Sequence, residues 1–113
     1  NWTTVNSGLV LENNGNGNVT LDLQTGKSAA QFIGGTSPTY QWNVTNNESR
    51  SCSGGSAFAG YRTVNSSQVE RVCNNFSYQT AGNQIEIDIN ITIPEDSSRG
   101  ALSDTITATA TAQ

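Results

Sequence analysis

Between Gln84 and Ile93 five isoleucines, Ile85, Ile87, Ile89, Ile91 and Ile93, alternate without a break with Glu86, Asp88, Asn90 and Thr92. A period of two sustained this long fits a β-strand and no helix, because successive strand side chains point to opposite faces. One face is apolar and is expected in a core. The other is acidic and hydrated, which places the strand in an antiparallel sheet covered on one side only. Pro94, which cannot donate to a sheet ladder, ends it. The same period returns over Leu102–Ala112, where Ile106, Ala108, Ala110 and Ala112 alternate with Thr105, Thr107, Thr109 and Thr111. An inner face of alanine leaves little volume, so this strand is expected to pack against large residues or to lie in a groove against another backbone.

The rest of the chain reads in shorter pieces. Leu9–Leu11 and Val19–Leu23 flank two Asn-Gly steps, Asn14–Gly15 and Asn16–Gly17, that tolerate positive φ and mark a turn. Ala30–Ile33, Tyr40–Val44, Phe58–Val64 and Phe76–Thr80 are expected as further strands, with Trp42 and Phe58 as inward anchors. Ser67–Val72 is compatible with a helical turn or a strand, and Asn46–Gly60 reads as a long Ser/Gly/Asn loop. About seven or eight short strands at 8–12-residue spacing describe an all-β antiparallel sandwich. With 113 residues there is room for one core.

Two cysteines stand in that chain, Cys52 and Cys73, and there is no histidine. A Cys/His zinc site therefore lacks ligands, and a Cys52–Cys73 disulfide is expected over two reduced buried thiols. It would pin the long loop to the segment around Cys73. N-x-Ser/Thr signals occur at Asn1, Asn18, Asn43, Asn47, Asn65, Asn75 and Asn90, half of all the asparagines and about twice the number chance would give. Such enrichment, with a disulfide, points to a secreted glycoprotein; the competing reading is accident in an Asn/Thr-rich chain.

Charge and composition bound the function. Lys27, Arg50, Arg62, Arg71 and Arg99 are scattered in a chain of net charge −4, so no basic stripe exists for nucleic acid. No apolar run approaches the ~20 residues of a membrane span, and Asn1 is expected to follow a removed signal peptide. Lack of an N-terminal apolar helix argues against an intact type IV pilin or archaellin subunit.

Without histidine the usual catalytic base is missing. Glu86 and Asp88, on one strand face, form a carboxylate pair of the kind used on glycosides, but a solvated strand face explains them better. Glu95, Asp96 and Asp104, or Glu12 with its neighbouring asparagines, offer oxygen ligands without a Ca²⁺-binding spacing. No cofactor and no enzymatic activity are expected. Trp2, Tyr40, Trp42, Phe58 and Tyr61 would serve a carbohydrate-stacking platform if exposed.

Two stretches carry a family resemblance. Leu9-Val10-Leu11-Glu12-Asn13-Asn14-Gly15-Asn16, followed by Asn18-Val19-Thr20-Leu21-Asp22-Leu23, resembles the opening hairpin of immunoglobulin-like repeats in archaeal and bacterial surface proteins. Ile91-Thr92-Ile93-Pro94-Glu95-Asp96 and Gly100-Ala101-Leu102-Ser103-Asp104-Thr105-Ile106-Thr107 resemble the last two strands of the same modules. The middle, Gly34–Thr80, departs from that pattern. The resemblance implies an immunoglobulin-like sandwich at a prokaryotic, above all archaeal, cell surface, in surface layers, adhesins, pilus subunits or spacer repeats alike.

The expected function is a structural filament, pilus or surface-layer subunit whose partner is itself, carrying N-glycans. Residues 1–11 serve as a strand donated to the next subunit, or as the domain's own first strand. Trp2, Val5, Leu9 and Leu11 are the expected interface residues, with Leu102–Ala112 as second choice of donor. The alternative is a monomeric adhesive or carbohydrate-binding module.

Overall fold

The computed structural model describes residues 8–53 and 60–113. They form eight strands and one short helix: β1 (Leu9–Glu12), β2 (Val19–Thr25), α1 (Ala29–Phe32), β3 (Thr39–Asn46), β4 (Cys52–Ser53), β5 (Arg62–Thr63), β6 (Glu70–Phe76), β7 (Gln84–Thr92) and β8 (Ile106–Ala112). Two four-stranded antiparallel sheets result, ordered β1-β7-β3-β5 and β4-β6-β2-β8. The fold is an all-β sandwich.

Period-two patterning explains how the sheets meet. Leu21 and Leu23 of β2, Val72 and Phe76 of β6, Tyr40, Trp42 and Val44 of β3, and Ile85 and Ile87 of β7 all point inward and are buried together. The long strands β3 and β7 pair over eight residues, from Thr39↔Thr92 to Asn46↔Ile85, which sets Trp42 at the centre with no exposed surface. In immunoglobulin-type sandwiches strands B and E are neighbours in one sheet and C and F in the other. Here β2–β6 and β3–β7 take those positions, and Trp42 stands on the strand corresponding to C, where such domains bury a tryptophan. The ends depart from that scheme. The last strand, β8, lies beside β2, where the first strand usually sits, and β1 lies beside β7, where the last usually sits.

Several local expectations are corrected. Ala30–Ile33 is not a strand: Ser28 and Gln31 close a capping box that fixes one helical turn, α1. Its Phe32 ring packs on Tyr40 at 4.9 Å, so the segment turns its apolar residues onto the core from a helix instead. Phe76–Thr80 is not a strand either, since Phe76 is the last residue of β6. Strand β6 begins at Glu70 and is bulged: both Val72 and Cys73 are buried while Arg71 and Asn74 flank them outside. The long loop contains the two-residue strand β4, bonded to Cys73 through the Cys52–Cys73 disulfide across a Cα–Cα distance of 5.6 Å. Phe58 lies outside the described residues.

Beside this bridge Ser51, fully buried, joins three segments. Its hydroxyl donates to the Glu48 carbonyl at 2.7 Å and accepts from the Gln84 N–H at 2.9 Å, and its carbonyl accepts from the Ser77 N–H. Ser51→Ala leaves the part-buried Gln84 N–H without its acceptor and is expected to cost about 1–3 kcal/mol. A lowered urea midpoint at unchanged slope would register it.

Candidate functional site

The edges of the two sheets differ in how they are protected. Strands β4 and β5 are two residues long, and β1 is four residues ending in Glu12. Short or charged edge strands resist pairing with other chains. Strand β8 has neither defence. Among the described residues it pairs with β2 on one side only, from Val19↔Ala112 to Thr25↔Ile106, and Ile-Thr-Ala-Thr-Ala-Thr-Ala contains no charge and no proline. Its outward backbone groups are therefore an uninterrupted template for another strand.

The inner face beside that edge is uncovered. In the β2–β8 register Ala110 stands opposite Leu21 and Ala108 opposite Leu23, so both alanines point between the sheets, yet both are exposed. Across the gap, Leu9 and Leu11 of β1 stand opposite Ile87 and Ile85 and share their inward face. Leu9 nevertheless remains 57% exposed. Between β1 and β8 lies an open slot of about 260 Å³, walled by Leu11, Val19, Leu21, Phe76, Ala108 and Ala110 and bounded at one end by Glu12, Asn13 and Asn14. Alanine, too small to reach across, is the direct cause of the gap.

Strand β8 is nonetheless anchored at its ends. The Tyr40 hydroxyl donates to Asp104 at 2.7 Å, and burial, with that bond and the Asp104 charge, pushes the phenol above its ordinary range. Lys27 Nζ donates to the Ser103 carbonyl and the Gly26 N–H to that of Thr105. At the far end the Gln113 N–H reaches the Asn18 carbonyl. The strand is thus a fixed rail whose outer side meets no other described strand.

Other candidates from the sequence fall elsewhere. Leu9 and Leu11 belong to the domain's own β1, which removes residues 9–11 from a donated segment, while Asn1, Trp2 and Val5 lie outside the described residues. Tyr40 and Trp42 are core residues, and exposed Tyr61 and Tyr78 sit in separate connections. Asp96 accepts from both the N–H and the hydroxyl of Thr36 at 2.9 and 2.6 Å, and Asp104 accepts from Tyr40. Among the described residues no group of three or more His, Cys, Asp or Glu is gathered as a metal site, and no helix is long and apolar enough to cross a membrane. The slot escaped the sequence reading because it depends on which strands become neighbours. The signal that was present is the uncharged, proline-free run of Thr105–Ala112.

Glu86 and Asp88 meet on the outer face of β7. A hydrogen bond with Asp88, followed by burial and by the Asp88 charge, raises the Glu86 carboxyl above its ordinary value, against an opposing Gly8 N–H. The folded state thus holds a proton that the unfolded state has released, and stability falls as pH rises through the interval just above the ordinary carboxylate range. Asp96 behaves oppositely: the Thr36 donors lower it, so its contribution is present at neutral pH and lost as pH falls through the lowered value. Glu86→Gln is expected to remove the loss on the alkaline side of that interval, and Asp96→Asn the loss on the acid side. Thermal midpoints recorded between about pH 3 and 7 check both signs.

Comparison of the chain with protein-family models, with curated proteins and with solved structures finds no match in any of the three.

Proposed function

We propose that this domain is a structural subunit of an extracellular filament or surface assembly, joined to copies of itself by strand addition at β8. The observation that carries the reading is the unguarded outer edge of β8 next to the uncovered slot. An added strand would satisfy the outward backbone groups of β8 and lay alternate side chains over Leu9 and Leu11, relieving both exposures at once. The donor we assign is the segment ahead of β1 in a second copy. Residues 1–7, Asn-Trp-Thr-Thr-Val-Asn-Ser, carry no charge, glycine or proline and match β8 in length. Donation from each subunit to the next is head-to-tail and generates an open fibre. A disulfide and abundant N-x-Ser/Thr signals support a location outside the cell. A sugar-binding module would instead need a platform of neighbouring exposed aromatics, whereas Trp42 and Tyr40 are spent in the core and exposed Tyr61 and Tyr78 stand in separate connections.

Ala110→Asp tests the site, because it places a charge in the slot at a position exposed in the monomer. Wild-type protein is expected to form concentration-dependent polymers in size-exclusion chromatography with light scattering, and Ala110→Asp to remain monomeric with an unchanged circular dichroism spectrum. Polymers of equal stability from the variant would refute the site, and a wild type monomeric at every concentration would refute the function. Deleting residues 1–7 isolates the donor: undiminished assembly would exclude it.

A further inference from the structure

The six N-x-Ser/Thr signals among the described residues look equivalent in the sequence, but the fold treats their amide nitrogens differently. Asn43 and Asn90 lie within β3 and β7, in register with Asp88 and Gln41 of the paired strand. Asn90 Nδ2 donates to Gln41 Oε1 at 3.1 Å, and Asn43 Oδ1 is sealed from solvent. Asn75, in β6, donates through Nδ2 to Ser53 Oγ of β4 at 3.0 Å beside the disulfide, and its Oδ1 is sealed as well. Asn47 Nδ2 donates to Gln84 Oε1 at 2.8 Å. A sugar on Asn47, Asn75 or Asn90 displaces a bond of the fold, and within a strand, as at Asn43, the acceptor peptide cannot be lifted out for an enzyme to bind.

Asn65 is different. It lies in the β5–β6 connection, where its Oδ1 accepts from the Ser67 N–H, the Ser67 hydroxyl and the Gln68 N–H, each at 3.1 Å. Backbone donors can bond only to the oxygen, so they fix which way the amide faces. Its Nδ2 is left with no hydrogen bond to a described residue. The base of this turn is bolted to β2, with the Thr25 N–H on the Asn65 carbonyl and Gln24 Nε2 on the Ser66 carbonyl, both at 3.0 Å. Ser67, Gln68 and Val69 are exposed around it. Asn18, whose Oδ1 takes the Tyr78 N–H at 3.3 Å, is the nearest competitor but opens a paired strand.

From this we infer that, among the signals in the described residues, Asn65 is the acceptor the folded domain presents for N-linked glycosylation and the first to be modified; the inference rests on the extracellular reading above. The donor is a lipid-linked glycosyl phosphate, brought by a transferase acting in trans. Asn65 Nδ2 attacks the anomeric carbon, the carbon–oxygen bond to phosphate breaks, the phosphate leaves with the electron pair, and Nδ2 gives up one proton. The Ser67 hydroxyl, already on Oδ1, is the group of the N-x-Ser signal that holds the amide for that attack.

The test uses folded, disulfide-intact protein incubated with a purified single-subunit oligosaccharyltransferase that accepts the minimal N-x-Ser/Thr signal, together with its lipid-linked oligosaccharide. Glycopeptide mass spectrometry is expected to find the first sugar on Asn65. Asn65→Gln and Ser66→Pro should each lose it, Asn75→Gln and Asn90→Gln should keep it, and reduced, denatured chain should take sugar at several signals. A folded chain modified first at another asparagine, or not modified at all, overturns the inference. Assembly through β8 is read on unglycosylated protein, so the two proposals fail separately.

Discussion

Trp42→Ala is expected to lower stability by about 3–5 kcal/mol, the usual cost of deleting a fully buried large aromatic side chain. Trp42 has no exposed surface and occupies the middle of β3, in register with Ile89 of β7 and Arg62 of β5. Val44, Leu23, Ile85 and Val72 complete the same core. Both sheets depend on it, and side chains of their size cannot swing in to fill an indole-sized void without moving their strands. For a domain whose total stability is about 5–15 kcal/mol, that loss is a large fraction. The thermal midpoint followed by far-ultraviolet circular dichroism should fall by about 15–20 °C. Trp42→Phe keeps much of the volume and should fall distinctly less. A Trp42→Ala midpoint within a few degrees of wild type would mean that the two sheets do not share this core.

Loss of the disulfide comes next. The Cys52–Cys73 bond closes a loop with a sequence separation of 21 residues, which in the chain-entropy account contributes about 3 kcal/mol through the unfolded state. It also has a local task. Strand β4 holds only two residues against β6, Cys52↔Phe76 and Ser53↔Asn75, and so short a pairing has little cohesion of its own. Replacing both cysteines with serine should therefore lower the thermal midpoint by roughly 10–15 °C. Faster amide hydrogen exchange should follow around Ser51 and Ser77, whose backbone bond lies beside the bridge. Reduction of the wild type should reproduce both effects. An unchanged midpoint in the double variant would show that the bond adds nothing to the folded state's advantage.

Local alternation and the covalent staple are properties of the residues alone. Ile85 and Ile87 are buried as their period demanded, Leu21 and Leu23 likewise, and the two cysteines are bonded to each other. Alternation reports which side chains share a face, because that is a property of one extended backbone. It does not report whether another sheet covers that face. On the same isoleucine row Ile89 and Ile91 are half-buried and Ile93 is 48% exposed, since β1 pairs with β7 only from Ile87 to Gln84 and leaves the rest of the strand at an open edge. Ala108 and Ala110 face inward and are still wet because they are too small to reach β1 across the slot.

The helix at Ala29–Phe32 and the bulge at Val72–Cys73 were hidden differently. In the first, side-chain caps on Ser28 and Gln31 outweighed a short apolar run. In the second, an extra residue against β2 turned two consecutive side chains inward. The open edge belongs wholly to the tertiary structure. Placing β8 outside β2 and β1 outside β7 brings alanines and leucines to the same side of the sandwich, a juxtaposition made by residues about a hundred positions apart that no local pattern encodes.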